Sequence, residues 1–138
     1  MQTFLPYPDF KQSAQVLDRQ RLGKQRVEVL QLLKALRDGG AWSHHPAARM
    51  WRGYEAALAV YGLDVCDEWI SRGYQDTCRG KLADYFRVIP FNPPGWLGDE
   101  AFHAAHRSNL LRKNPDWYGQ FGWTESADLP YVWPDGVK

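Results

Sequence analysis

From Ser13 to Arg37 apolar residues recur at the three- and four-residue spacing of a helix, with Leu22, Val29, Leu30, Leu33 and Leu36 forming one stripe. Ser13 is a suitable N-cap, and Gly39 and Gly40 end the periodicity, so a first long helix is predicted over residues 13–37. Ahead of it, residues 1–12 hold Pro6 and Pro8 and read as an extended lead-in. A second helix is predicted to open at Pro46, where a proline suits the first turn, and to run through MWRGYEAALAVYG. Gly62 stops or bends it, and the pattern resumes to Gly73. The stretch from Val88 to Gly98 is a loop by its prolines and glycines, and Asp99 or the residue before it caps a last helix, EAFHAAHRSNLLRK, terminated by Pro115. Beyond Pro115 neither helical nor strand periodicity is present. With no repeat and no amphipathic strand, the expectation is all-α: a compact single domain over residues 1–138, of three to four helices with a long irregular aromatic-rich C-terminal segment.

Two residues interrupt the first helix. Gly23 costs about 1 kcal/mol relative to alanine in a helix interior, which marks a kink or the close approach of another backbone. Arg26 falls inside the apolar stripe. A guanidinium cannot stay unpaired in a core, so either it reaches a buried carboxylate or this helix lines a polar cleft.

Charge sharpens that choice. The formal net charge is only +1, yet residues 1–52 hold nine Lys or Arg against four Asp or Glu, while residues 53–138 hold eight against twelve. Arg19, Arg21, Lys24 and Arg26 crowd onto the first helix beside a single acid, Glu28. This is either a solvated basic face or the footprint of a polyanion such as nucleic acid. Cys66 and Cys78 are too few and too far apart for a disulfide scaffold or a metal knuckle, and read as buried thiols. No apolar run approaches the roughly 20 residues of a membrane span, and no signal peptide is evident, so a cytoplasmic monomer is expected.

Several side chains could carry chemistry. Glu28 lies two turns from Arg21 on the same side of the helix, a placement that could hold its carboxylate ionised beside a cation, or simply make a surface ion pair. His44 and His45 precede the helix opening at Pro46, where free amides favour an anion such as phosphate; their alternative is turn formation. His103 and His106 share a helix face, but no carboxylate or cysteine stands at a matching offset, so no metal is expected. The chain has seven Trp, seven Tyr and six Phe. Trp117, Tyr118, Phe121 and Trp123 alternate with Gly119 and Gly122, an arrangement suited either to stacking on bases or to plugging a gap between helices.

An Arg-x-Glu on the basic helix (Arg26, Val27, Glu28), a His-Pro pair opening the next (His45, Pro46), and a C-terminal run of Pro115, Trp117, Tyr118, Phe121 and Gly122 together resemble the pyrimidine-dimer DNA glycosylase family, of the phage endonuclease V type. The resemblance implies an all-α enzyme without a cofactor. Such an enzyme kinks duplex DNA holding a damaged base or abasic site, displaces a base, and attacks the sugar with its own N-terminal α-amine. The resulting imine permits β-elimination, an abasic-site lyase step. Carried onto this chain, the resemblance makes Met1 the nucleophile and Glu28 the assisting carboxylate. Arg19, Arg21, Lys24 and Arg26 become phosphate contacts, and Trp117 and Tyr118 the aromatic contacts to the damaged strand. Phe121, His44, His45 and His106 complete the expected DNA-binding set. The phage enzyme reacts through a small residue exposed by Met removal, whereas Gln2 predicts that Met1 is retained here. An unperturbed α-amine, with a pKa of about 7.7–8.0, is substantially neutral near pH 7.5 and needs no lysine to replace it. Two other readings stand beside this one. One is a nucleic-acid-binding module without catalysis; the other is a hydrolase of phosphorylated small molecules using Glu28 with His44, His45 or His106.

Overall fold

The structure, a computed structural model, describes residues 2–88 and 93–134. Met1, residues 89–92 of the predicted loop and residues 135–138 of the C-terminal segment lie outside the described residues. Among the described residues the regular structure is helical, without strands.

The first predicted helix is two. Helix α1 (Phe10–Val16) is capped by Asp9, whose carboxylate accepts the Gln12 N–H at 2.9 Å, and α2 spans Arg19–Asp38. Between them Leu17 and Asp18 are extended. The reason lies far away in sequence: the Tyr118 hydroxyl accepts the Asp18 N–H at 3.0 Å, so that amide cannot continue a helical ladder. Helix α2 buries Leu22, Gln25, Val29, Leu32, Leu33 and Ala35, while Leu30 and Leu36 are only half-buried. Its core face is therefore turned from the predicted stripe toward Gln25 and Leu32.

The helix expected from Pro46 is also divided. Helix α3 (Pro46–Arg49) is one turn long, Gly53 at φ 87° reverses the chain, and α4 (Glu55–Ser71) follows. Helix α4 passes through Gly62 without stopping. A Cβ at Gly62 would lie 2.7 Å from the Val29 side chain and 2.9 Å from Leu82, so this glycine lets α2 and the next helix close on α4. Gly23 serves likewise: its Cβ would stand 2.9 Å from the Trp69 ring.

Helix α5 (Arg79–Val88) was not signalled by periodicity, because Leu82 is its one fully buried apolar residue among those with described side chains. Asp76 opens it by accepting the Arg79 N–H at 2.8 Å. Helix α6 (Glu100–Lys113) begins at the expected cap, Asp99, whose carboxylate accepts the Ala101 N–H at 3.2 Å. Pro115 then opens α7 (Pro115–Tyr118) instead of merely ending α6, followed by a 3-10 turn, Gly119–Phe121. Among the described residues the count is thus seven α-helices rather than three or four, and residues 122–134 are irregular as expected.

Helix α4 is the hub, packed against α1, α2 and α5. Trp51, Tyr61, Tyr118 and Phe102 are the bulkiest fully buried residues among those described, with the Trp96 ring edge-on to Trp51 at 4.9 Å. Cys66 and Cys78 are free and buried, and burial pushes the Cys66 thiol well above its ordinary range, as befits a packing residue. Among the described residues no helix is long and apolar enough to cross a membrane.

Candidate active site

The N-terminal segment is enclosed: Gln2 through Pro6 are buried although they form no regular structure. Buried backbone without a ladder must find its partners elsewhere, and here side chains supply them. Gln25 is the chief one. Its Oε1 accepts the Phe4 N–H at 2.6 Å and lies 2.8 Å from the Tyr61 hydroxyl, while its Nε2 donates to the Gln2 carbonyl at 2.7 Å. The same Nε2 lies 3.2 Å from Glu28 Oε2. One amide thus joins the backbone at residue 2 to the carboxylate of Glu28.

That junction lies on a cleft of about 420 Å³. Helix α2 lines one side with Gln20, Arg21, Lys24, Gln25 and Glu28, at spacings that share one helical face. Gln2 and Phe4 form the part from the N-terminal segment, His45 precedes α3, and Lys113, Tyr131 and Trp133 complete the lining. Lys24 and Lys113 are exposed, and Arg21 is half-buried and paired with Asp18 at 3.1 Å. The lining therefore carries three cationic side chains around one carboxylate. His45 Nδ1 accepts the Ala47 N–H at 3.0 Å, so the neutral ring carries its hydrogen on Nε2, and burial lowers its pKa.

The expected site residues divide. Glu28, Arg21, Lys24 and His45 meet in the cleft. Arg26 does not: its guanidinium pairs with Asp76 at 2.5 Å and lies over the Trp69 ring at 4.5 Å. Of the two alternatives posed for Arg26, it takes the carboxylate, while a neighbouring face of the same helix lines the cleft. Arg19 is exposed over Tyr74, and His44 is exposed at the end of the 3-10 turn Ala41–His44. The anion seat expected ahead of Pro46 is taken by the ring of His45, which caps the amide itself.

His106 and Tyr118 are interior residues. His106 accepts the Leu5 N–H at 2.9 Å, and the Tyr118 hydroxyl donates to Asp18 Oδ1 at 2.5 Å. Trp117 donates its indole N–H to the Val16 carbonyl at 2.7 Å, and Phe121 packs against the rings of Tyr118 and Trp123, which stack on each other. The C-terminal aromatic motif consequently braces the α1–α2 junction, and the side chains of Tyr118 and His106, both expected among the DNA contacts, are enclosed.

Gln25, Lys113, Tyr131 and Trp133 were not singled out from the sequence, and Gln2 only for its bearing on Met1. Gln25 had a signal: it stands three residues after Leu22 and four before Val29, an amide within an apolar stripe that needs partners as much as Arg26 does. Lys113, Tyr131 and Trp133 had none, since only the return of the chain after α6 brings them to α2. Among the described residues no three His, Cys, Asp or Glu side chains form a group able to hold a metal ion.

The half-buried Glu28 carboxylate, cationic side chains and the N-terminal segment thus meet in one cleft. A family model described as pyrimidine dimer DNA glycosylase matches residues 1–82, and the chain belongs to that family. Family membership implies DNA glycosylase activity on a DNA substrate. Neither a curated protein nor a solved structure matches the chain. The matched span includes Gln2, Arg21, Lys24, Gln25, Glu28 and His45, whereas Lys113, Tyr131 and Trp133 fall beyond it.

Proposed function

We propose that the protein is a single-domain DNA glycosylase with abasic-site lyase activity that removes a damaged pyrimidine through an imine formed by the α-amine of Met1. The observation that carries this reading is the Gln25 amide, bonded at once to the Gln2 carbonyl (2.7 Å) and to Glu28 (3.2 Å). Gln2 itself lines the cleft that holds Glu28, and the α-amine belongs to the residue before it in the chain. Arg21, Lys24 and Lys113 favour the neutral, nucleophilic form of a nearby amine and attract the phosphates of a duplex.

The amine nitrogen attacks C1′ of the damaged nucleotide as the glycosidic bond breaks, and the base leaves with that electron pair and a proton. Glu28 offsets the positive charge developing on the sugar and relays protons from the amine. The sugar ring then opens, O4′ taking the C1′–O4′ electron pair and a proton, to give the imine; loss of its C2′ proton expels the 3′ phosphate oxygen, and water releases the amine. Extruding the base costs a few kcal/mol in stacking and pairing, less for a lesion, so selectivity begins before chemistry.

Borohydride trapping on duplex DNA with an abasic site, followed by mass spectrometry of the adduct, tests the reading. A covalent sugar adduct on the N-terminal amine of Met1 is expected. Glu28→Gln is expected to abolish base release while DNA affinity is retained. Tight binding without any adduct would instead identify a binding module or a glycosylase that does not use an amine.

A further inference from the structure

Helix α6 grips the N-terminal segment from the side away from Gln25, and it does so with the two histidines that share its face. Leu5 donates its N–H to His106 Nδ1 at 2.9 Å, and its carbonyl lies 2.7 Å from His103 Nδ1. His103 Nε2 accepts the Gly98 N–H at 2.9 Å, which fixes the hydrogen on Nδ1 and makes that nitrogen the donor to Leu5. One position further, Arg107 Nη1 donates to the Pro6 carbonyl at 2.8 Å. Both backbone groups of Leu5 are thus held by an imidazole each.

We infer that His103 and His106 are positioning residues for the reaction at the N-terminus: they fix the register of residues 2–6, and with it how far residue 1 reaches toward Glu28. This inference rests on the imine reading above. The register is specified chemically. Were the segment to slip by one so that Pro6 stood in place of Leu5, His106 would face a residue with no N–H to donate. A slip would also withdraw the Phe4 N–H and Gln2 carbonyl from Gln25, the side chain that couples them to Glu28. Four residues separate the histidine grip from the amine, and the intervening Phe4 carbonyl is taken by the Tyr61 hydroxyl at 2.6 Å. With so little slack, the grip on Leu5 is transmitted to residue 1. Reaction rates fall about a hundredfold for a displacement near 1 Å, so register is a catalytic parameter even though neither imidazole touches the sugar.

The test compares His106→Asn, whose Oδ1 can stand where Nδ1 stood and accept the Leu5 N–H, with His106→Leu, which fills the site but accepts nothing. His106→Gln, polar but with its oxygen one bond too far out, replaces the leucine variant if the latter does not fold. Two readouts are taken on the full chain: the single-turnover rate of borohydride trapping with the abasic duplex, and the amide-hydrogen exchange of Phe4 and Leu5 by NMR. The asparagine variant should trap near the wild-type rate with both amides protected. The leucine or glutamine variant should trap roughly a hundredfold more slowly at unchanged DNA affinity, with both amides exchanging fast. Wild-type trapping by a folded leucine or glutamine variant, or a Leu5 amide that stays protected in it, overturns the inference. If the wild-type protein forms no adduct, the imine reading fails on its own, and the exchange data still decide whether His106 sets the register.

Discussion

The Tyr118 hydroxyl and Asp18 are bonded twice across a hundred residues of chain: the hydroxyl donates to Asp18 Oδ1 at 2.5 Å and accepts the Asp18 N–H at 3.0 Å. This latch ends α1, starts α2 and so sets the axis along which Arg21, Gln25 and Glu28 approach the cleft. Tyr118→Phe keeps the ring but strands a buried N–H and a carboxylate oxygen. It is expected to lower unfolding stability by about 1–3 kcal/mol, read from chemical denaturation. Affinity for abasic duplex should stay close to wild type, because the hydroxyl faces the interior. A loss of affinity without loss of stability would restore Tyr118 to the DNA interface.

Arg26 and Asp76 make a different prediction, about acid. Burial alone would raise the Asp76 carboxyl, but the Arg26 guanidinium and the N–H groups of Arg79 and Cys78 outweigh it and hold the pKa below the ordinary range. A carboxyl depressed on folding contributes stability that is present above its unfolded pKa, about 3.9, and disappears as pH falls through the folded value. Stability from this pair should therefore be complete at neutral pH and lost only below about pH 4. Asp76→Asn, which leaves a largely buried guanidinium unpaired, should cost about 3 kcal/mol at pH 7 and remove that lowest acid step from a plot of unfolding free energy against pH.

His106 predicts the acid dependence at higher pH. Its ring is enclosed by Phe4, Phe102 and Tyr131, Leu5 donates to it, and its titratable neighbour is His103. Burial foremost, with His103 adding to it, lowers its pKa to about 3. The unfolded ring, at about 6.5, takes a proton that the folded ring refuses, so stability is full above pH 6.5 and falls as pH drops toward 3. The slope expected for this one group is about 1.4 kcal/mol per pH unit. His103, also lowered by burial first, adds to the fall and is itself acted on by Arg107, Glu100 and Asp99. His106→Asn should flatten the slope between pH 4 and 6 by about one proton's worth, measured as denaturation midpoints across that range. An unchanged slope would mean that the folded protein admits a proton at His106.

What could be read from the chain and what could not divides by the range of the interactions. The all-α class, the caps at Asp99 and Gly39, and the face of α2 that carries Arg21 and Glu28 are local properties of periodicity and capping. The break at Leu17 and Asp18 is not, since it is imposed by Tyr118. Helix α5 was hidden because a short helix with few buried apolar positions has little periodicity to show. The enclosure of His106 and Tyr118 was not legible for a common reason: each is a polar side chain bonded to a backbone group about a hundred residues away, and nothing near it in sequence marks that partner. Arg26 looked like a phosphate contact because Asp76, fifty residues on, gives no local sign of pairing with it.

Lys24 and Lys113 supply the sharpest test of the cleft, because they reach it from opposite ends of the chain and only Lys24 lies within the matched span 1–82. If both face phosphates of the bound duplex, each alanine variant should weaken binding and reduce the slope of log affinity against log salt by about 0.9. Arg79, exposed on α5 and paired with Asp67 at 2.6 Å, does not line the cleft, and Arg79→Ala should leave the slope unchanged. Fluorescence-anisotropy titrations of an abasic duplex at several salt concentrations provide the three slopes. A drop for Lys24→Ala alone would place the DNA along α2 and away from the C-terminal wall. Equal small effects from all three would show that the duplex follows general surface charge and that the Glu28 cleft is not its track.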